Sequence, residues 1–170
     1  VYVKNFIEFA TNPDDTSLTP SGARVINCEI ANTSSTTGDT GIIADQHVRQ
    51  VEVSHCYLEW LNTAISLGGN HSQIIANYLA NNAVGIELAG ERSVAEDNII
   101  AVYASIDGAK GIEVSSSTID ITGNEFYMSS PNVTGINMTG SPTVLNISAN
   151  TFYFDTTGTS YGIKGDASHS

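Results

Sequence analysis

One spacing constrains this chain more than any other: an asparagine or cysteine returns every 21 to 28 residues, each time followed by a glycine–isoleucine or alanine–isoleucine pair. Asn77 lies between the apolar residues Ile74 and Leu79, and Gly85-Ile86-Glu87-Leu88 follows. The same order holds for Asn98 with Gly111-Ile112, Asn124 with Gly135-Ile136, and Asn150 with Gly162-Ile163. Cys28 precedes Gly41-Ile42 and Cys56 precedes Ala64-Ile65, so two cysteines occupy the asparagine slot. The stretch from Tyr2 to Ile7 reads as a further copy with Asn5 in that slot, which makes the steps 23, 28, 21, 21, 26 and 26 residues.

A period of this length suits one coil of a β-solenoid. No 3.6-residue periodicity runs between the pairs, and the leucine-rich framework that shares this period is absent. Short strands with period-2 alternation fit instead. On these residues the chain resembles the right-handed parallel β-helices of the pectate-lyase-like superfamily and the repeats of viral tailspike proteins. The expected fold is all-β, a single-stranded right-handed parallel β-helix of about six to seven coils with an asparagine ladder. The resemblance covers roughly residues 1–165, and its motif specifies architecture rather than activity.

In this fold each slot residue sits at a bend between two strands and stacks on its equivalent about 4.8 Å away. The ladder is expected to comprise Cys28, Cys56, Asn77, Asn98, Asn124 and Asn150. Each amide would bond its neighbour and the backbone groups that the bend leaves unpaired. Three apolar columns should build the core: Val25 to Ile147 before the bend, Ile30 to Phe152 after it, and Ile42 to Ile163 behind the glycines. The glycine itself is expected at a tight corner or in a conformation that a Cβ disfavours. Length varies most between slot and glycine, so loops such as 31–40 and 127–134 should project on that side. The two cysteines read as thiols rather than a disulfide, because stacking does not aim their side chains at each other.

The 170 residues read as one domain, a segment of something larger, because bare coil ends invite pairing with another chain. Flanking domains or a homotrimer would cover those ends. With 18 acidic against 6 basic residues the net charge is −12, which opposes nucleic acid and polyanionic sugars. No apolar run is long enough to insert in a membrane.

Two constellations could carry chemistry. Glu87 and Glu113 follow the Gly-Ile pair on successive coils, where the backbone spacing would place their carboxylates about 5–5.5 Å apart, as in retaining glycosidases. The competing reading is a solvated outward column of Ser66, Glu87, Glu113, Asn137 and Lys164. Tyr57 and Tyr78 share another outward column near Trp60, the one tryptophan, and aromatic faces beside carboxylates are suited to holding sugar rings. His47 and His55 lack a third ligand at a recognised spacing, so neither a metal nor another cofactor is expected. The groups that the resemblance would supply for polygalacturonase or pectate-lyase chemistry are not matched. The expected function is therefore a rigid, noncatalytic segment of an extracellular, cell-surface or virion-tail protein that presents a face to a polysaccharide, a cell-surface glycan or a neighbouring subunit. The alternatives are a tailspike-type depolymerase working through Glu87 and Glu113, and a surface scaffold with no sugar ligand.

Overall fold

The computed structural model describes residues 5–10, 21–32, 39–103, 106–140, 144–156 and 158–165, and these form 19 strands, numbered along the chain, in three parallel sheets. The first sheet holds the strands that carry the Gly-Ile pairs: β1 (Asn5–Phe9), β4 (Thr40–Ala44), β7 (Thr63–Leu67), β10 (Val84–Leu88), β13 (Lys110–Val114), β16 (Thr134–Met138) and β19 (Tyr161–Gly165). The second holds β2 (Arg24–Ile26), β5 (Glu52–Ser54), β8 (Gln73–Ile75), β11 (Ser93–Glu96), β14 (Thr118–Thr122) and β17 (Val144–Ser148). The third holds β3 (Glu29–Ala31), β6 (Tyr57–Glu59), β9 (Tyr78–Ala80), β12 (Ile99–Val102), β15 (Glu125–Met128) and β18 (Thr151–Phe154). Each strand pairs in parallel with its equivalent one coil away, as a right-handed β-helix requires.

Register places the three apolar columns as the repeat implies. Val53 pairs Ile74, Leu58 pairs Leu79, and Ile86 lies between Ile65 and Ile112. These side chains form one continuous core, with Ile42, Leu58, Ile74, Ile86, Ile112 and Phe126 fully buried. Phe126 stacks on Phe152 with ring centroids 4.7 Å apart, the spacing of adjacent coils.

The asparagines form a ladder in which the amides of Asn98 and Asn124 use all their bonding capacity. Asn98 Nδ2 donates to the Ile74 carbonyl at 2.9 Å and to Asn124 Oδ1 at 3.0 Å. Asn98 Oδ1 accepts from the backbone N–H and the side-chain amide of Asn77. Asn77 and Asn124 repeat the arrangement, apart from the bond that Asn77 would receive from an amide at position 56. Cys56 breaks the side-chain chain there: its backbone N–H still reaches Asn77 Oδ1 at 2.9 Å, while its thiol turns to the Ser54 carbonyl. Both cysteines are free thiols, Cys56 buried and Cys28 half-buried.

The ladder supports a backbone bend that hydrophobic periodicity does not announce. The residue before each slot, Asn27, His55, Ala76, Asp97, Gly123 and Ala149, has φ between 53° and 68°. Left-handed backbone costs about 1–2 kcal/mol for a residue with a Cβ. The amide bonds across the bend offset that cost, so the asparagine and the unusual residue beside it act as a unit.

Two expectations need correction. Asn5 does not occupy the ladder slot: β1 joins the first sheet, with Asn5 opposite Thr40 and Ile7 opposite Ile42. Tyr2–Ile7 read as a slot copy because the apolar alternation of β1 resembles either strand type, and its Ile7 belongs to the Gly-Ile column. The column glycines are not in left-handed backbone either. A Cβ on Gly111 would stand 2.5 Å from the Gly135 carbonyl oxygen and 2.6 Å from Phe126 Cδ1, so close approach between coils is what selects glycine there. Of the two loops expected to project, 129–133 lies between β15 and β16, whereas 33–38 falls outside the described residues.

Candidate functional site

The outer face of the third sheet gathers five tyrosines, one per coil. In β6, β9, β15 and β18 the central residue points into the core, which leaves Tyr57, Tyr78, Tyr127 and Tyr153 pointing outward by strand alternation. Tyr57 and Tyr78 are register partners, and their rings stack at 5.5 Å with planes 10° apart. Tyr127 and Tyr153 are partners two columns over, stacked at 4.7 Å and 9°. Tyr103 follows β12, on the coil between the two pairs. Its backbone N–H donates to Asn81 Oδ1 at 2.9 Å, which fixes the ring's origin.

Carboxylates hold these rings in place. The Tyr57 hydroxyl donates to Glu59 at 2.8 Å and the Tyr127 hydroxyl to Glu125 at 2.7 Å. Those bonds, reinforced by desolvation, push both phenols up to about 12. The outward residues Ala80 and Ala101 lie outside the core cluster yet are only 3% and 0% exposed, so the side chains of this face close over them. The small residues make room for the larger rings beside them.

An alkaline titration should report this arrangement. A phenol whose pKa is raised on folding stabilises the fold fully below the ordinary tyrosine value near 10, and that contribution is lost as pH rises through about 12. Absorbance of tyrosinate should therefore show Tyr57 and Tyr127 ionising last. Glu59→Gln should return Tyr57, and Glu125→Gln should return Tyr127, toward the ordinary range. Unchanged titration curves in both variants would contradict the assigned bonds.

Trp60 joins neither stacked pair. It is half-buried at the corner after β6, with φ of 58° and its backbone N–H donating to the Ala80 carbonyl. The structure thus brings Tyr57 and Tyr78 together and sets Trp60 beside them as a corner residue. Sequence reasoning missed Tyr103, Tyr127 and Tyr153. The signal available was their appearance in consecutive coils, Tyr127 and Tyr153 directly after Phe126 and Phe152 and Tyr103 three residues after Ile100.

Beside Tyr127 and Tyr153 a depression of about 380 Å³ opens, lined by Tyr103, Tyr127, Phe152, Tyr153, Phe154 and Asp155 among others. Its size falls within the roughly 300–1,000 Å³ common for small-ligand sites. Tyr103 is 58% and Tyr153 52% exposed.

Glu87 and Glu113 are register partners on the first sheet, as their spacing implies. Their bonds point to opposite neighbours. Glu87 accepts from Ser66 on the preceding coil at 2.9 Å, whereas Glu113 accepts from Lys110 at 2.6 Å and from Asn137 on the following coil at 3.1 Å. Neither residue lines the depression beside the tyrosines. Lys164, two coils from Glu113, lies over the Tyr161 ring at 5.5 Å. Arg24 meets Glu52 in a two-pronged, solvent-exposed pair of the kind that adds little stability.

Residues 11–169 match the NosD family, described as periplasmic copper-binding protein. The chain belongs to the NosD family. No curated protein and no solved structure matches it. The family's periplasmic description agrees with a place outside the cytoplasm and gives no support to a virion tail. Its parallel β-helix agrees with the architecture above, while a pectate-lyase relationship is not what the match names.

Copper is held by imidazole, thiolate or thioether donors that converge. Among the described residues no group of three or more His, Cys, Asp or Glu side chains could hold a metal ion. His47 bonds Gln46 after β4, and His55 occupies the ladder bend. Cys28 and Cys56 are neighbours, but burial pushes the Cys56 thiol up and its proton is committed to backbone carbonyls. A copper ligand must be deprotonated, and this environment favours the thiol. The described residues of this family member do not fit copper.

Proposed function

We propose that this NosD-family chain is a noncatalytic, exported β-solenoid that holds a neutral glycan against the outer face of its third sheet, with Tyr57 and Tyr78 as ring contacts and Trp60 at the border. The observation that carries the reading is the parallel Tyr57–Tyr78 stack, fixed by the bond from Tyr57 to Glu59. Rings held by the protein itself lose little rotamer freedom when a ligand arrives, and sugar hydroxyls find acceptors in the adjoining carboxylate. A net charge of −12 disfavours polyuronates and other polyanions on the same face.

The test is incubation with soluble neutral glucans, mannans and xylans and with a polyuronate, reading both retention and release of reducing or unsaturated ends. Retention by a neutral polymer without chain cleavage is expected. Tyr57→Ala and Tyr78→Ala should each weaken it about tenfold, the loss of roughly one aromatic contact. Release of new ends that disappears in Glu87→Gln or Glu113→Gln would replace this reading with a depolymerase.

A further inference from the structure

We infer that the depression between Tyr103, Tyr153 and Asp155 is the anchoring subsite for that ligand, taking a neutral sugar residue at one end of a chain that continues along the solenoid axis past Tyr78 to Tyr57. The inference rests on the glycan reading and adds a site, a ligand orientation and a length.

The five tyrosines occur in five consecutive coils, and adjacent coils are about 4.8 Å apart, so the track is about 19 Å long. It does not follow one column. Tyr57 and Tyr78 stand in one outward column, Tyr127 and Tyr153 two residues along the strand, and Tyr103 at the corner beyond. At the first end the stacked rings form a flat border without a cavity among the described depressions. At the other end the surface becomes concave, and the exposed rings of Tyr103 and Tyr153 line it together with half-buried Phe152 and exposed Phe154.

Polar groups in this concave end select a sugar over a purely apolar partner. Asp155 is exposed at its edge, held there by its backbone N–H, which donates to the Met128 carbonyl. Glu125 already orients the Tyr127 phenol, which turns that hydroxyl's lone pairs outward as acceptors. Apolar ring surface bordered by acceptors matches the apolar face and donor hydroxyls of a pyranose. Among the described residues no cation lines the depression, so an acidic sugar would meet the like charge of Asp155.

The experiment measures affinity of the whole chain for neutral gluco- and manno-oligosaccharides from disaccharide to hexasaccharide by titration calorimetry. The variants are Tyr103→Ala, Tyr153→Ala, Asp155→Asn and the double variant Tyr57→Ala/Tyr78→Ala, with circular dichroism and melting curves alongside. Each cleft variant should weaken disaccharide and hexasaccharide alike, by about tenfold for either tyrosine. The Tyr57/Tyr78 double variant should leave the disaccharide unchanged and weaken only the longer chains. Tyr153→Phe should restore most of the affinity lost in Tyr153→Ala, which a change in folding would not do. Binding by the wild type that is insensitive to all three cleft substitutions would overturn this inference and leave the glycan reading standing. Absence of wild-type binding to any of these sugars would overturn both, and a uronic-acid oligomer bound in preference would overturn the neutral assignment.

Discussion

Replacing Asn98 with alanine is expected to lower the free energy of unfolding by about 3–5 kcal/mol, because a single truncation removes four buried hydrogen bonds at about 1 kcal/mol each. Those bonds run to the Ile74 carbonyl, to Asn124 Oδ1, and from the backbone N–H and side-chain amide of Asn77; Asn124 Oδ1 keeps the backbone N–H of residue 98 and the Asn77 amide keeps the Val53 carbonyl. Asn98 is fully buried, so water cannot replace the lost partners without opening the bend. Asn98→Asp should be as damaging, since it removes two donors and sets a carboxylate against two acceptors. Asn146→Ala, at an exposed outward position of β17, should change stability by no more than about 0.5 kcal/mol. Urea unfolding followed by far-ultraviolet circular dichroism decides the matter. Equal midpoints for the Asn98 and Asn146 variants would mean that the ladder does not hold the bends.

Phe126→Ala should cost a similar amount, about 3–5 kcal/mol, through a different cause. Its ring is completely buried, stacks on Phe152, and fills the space that Gly111 leaves open. Removing it leaves a cavity between coils that are pinned by strand pairing on both sides and cannot close around it. Phe126→Leu should recover much of the loss, because it refills most of the volume with apolar atoms. If alanine and leucine proved equivalent in a denaturant melt, packing at this column would not be what secures the coil.

The architecture was readable because a solenoid repeats its demands. Ile74, Ile86, Leu79 and their equivalents each face the same environment once per coil, so the same residue type returns and the period becomes visible. The ladder was readable for the same reason. Asn5 misled because an isolated alternating strand carries no label for its sheet, and only the pairing of Ile7 with Ile42 assigns it. The left-handed residues before the slots were hidden, since Ala76, Ala149 and His55 are not residues that announce positive φ, and the ladder's bonds impose it.

The candidate site was only half legible. Tyr57 and Tyr78 share a column and can be paired from the repeat alone. Tyr127 and Tyr153 share another, but Tyr103 falls on the coil between the pairs, just past a strand where coil lengths diverge. The depression beside it is made by three coils at once, and no single repeat contains its pattern. Glu87 and Glu113 show the reverse case: register brought them together, while Ser66, Lys110 and Asn137 decided where their carboxylates turn.

The NosD family is described as copper-binding, whereas the ligand proposed for the tyrosine face is a neutral glycan. The most direct measurement is therefore paired: stoichiometric loading with copper followed by desalting against a chelator, and retention on neutral polysaccharide before and after that loading. The account predicts retention by the polysaccharide in both states and no stoichiometric copper left on the chain. One copper per chain surviving the chelator, together with no retention on any neutral polymer, would contradict it.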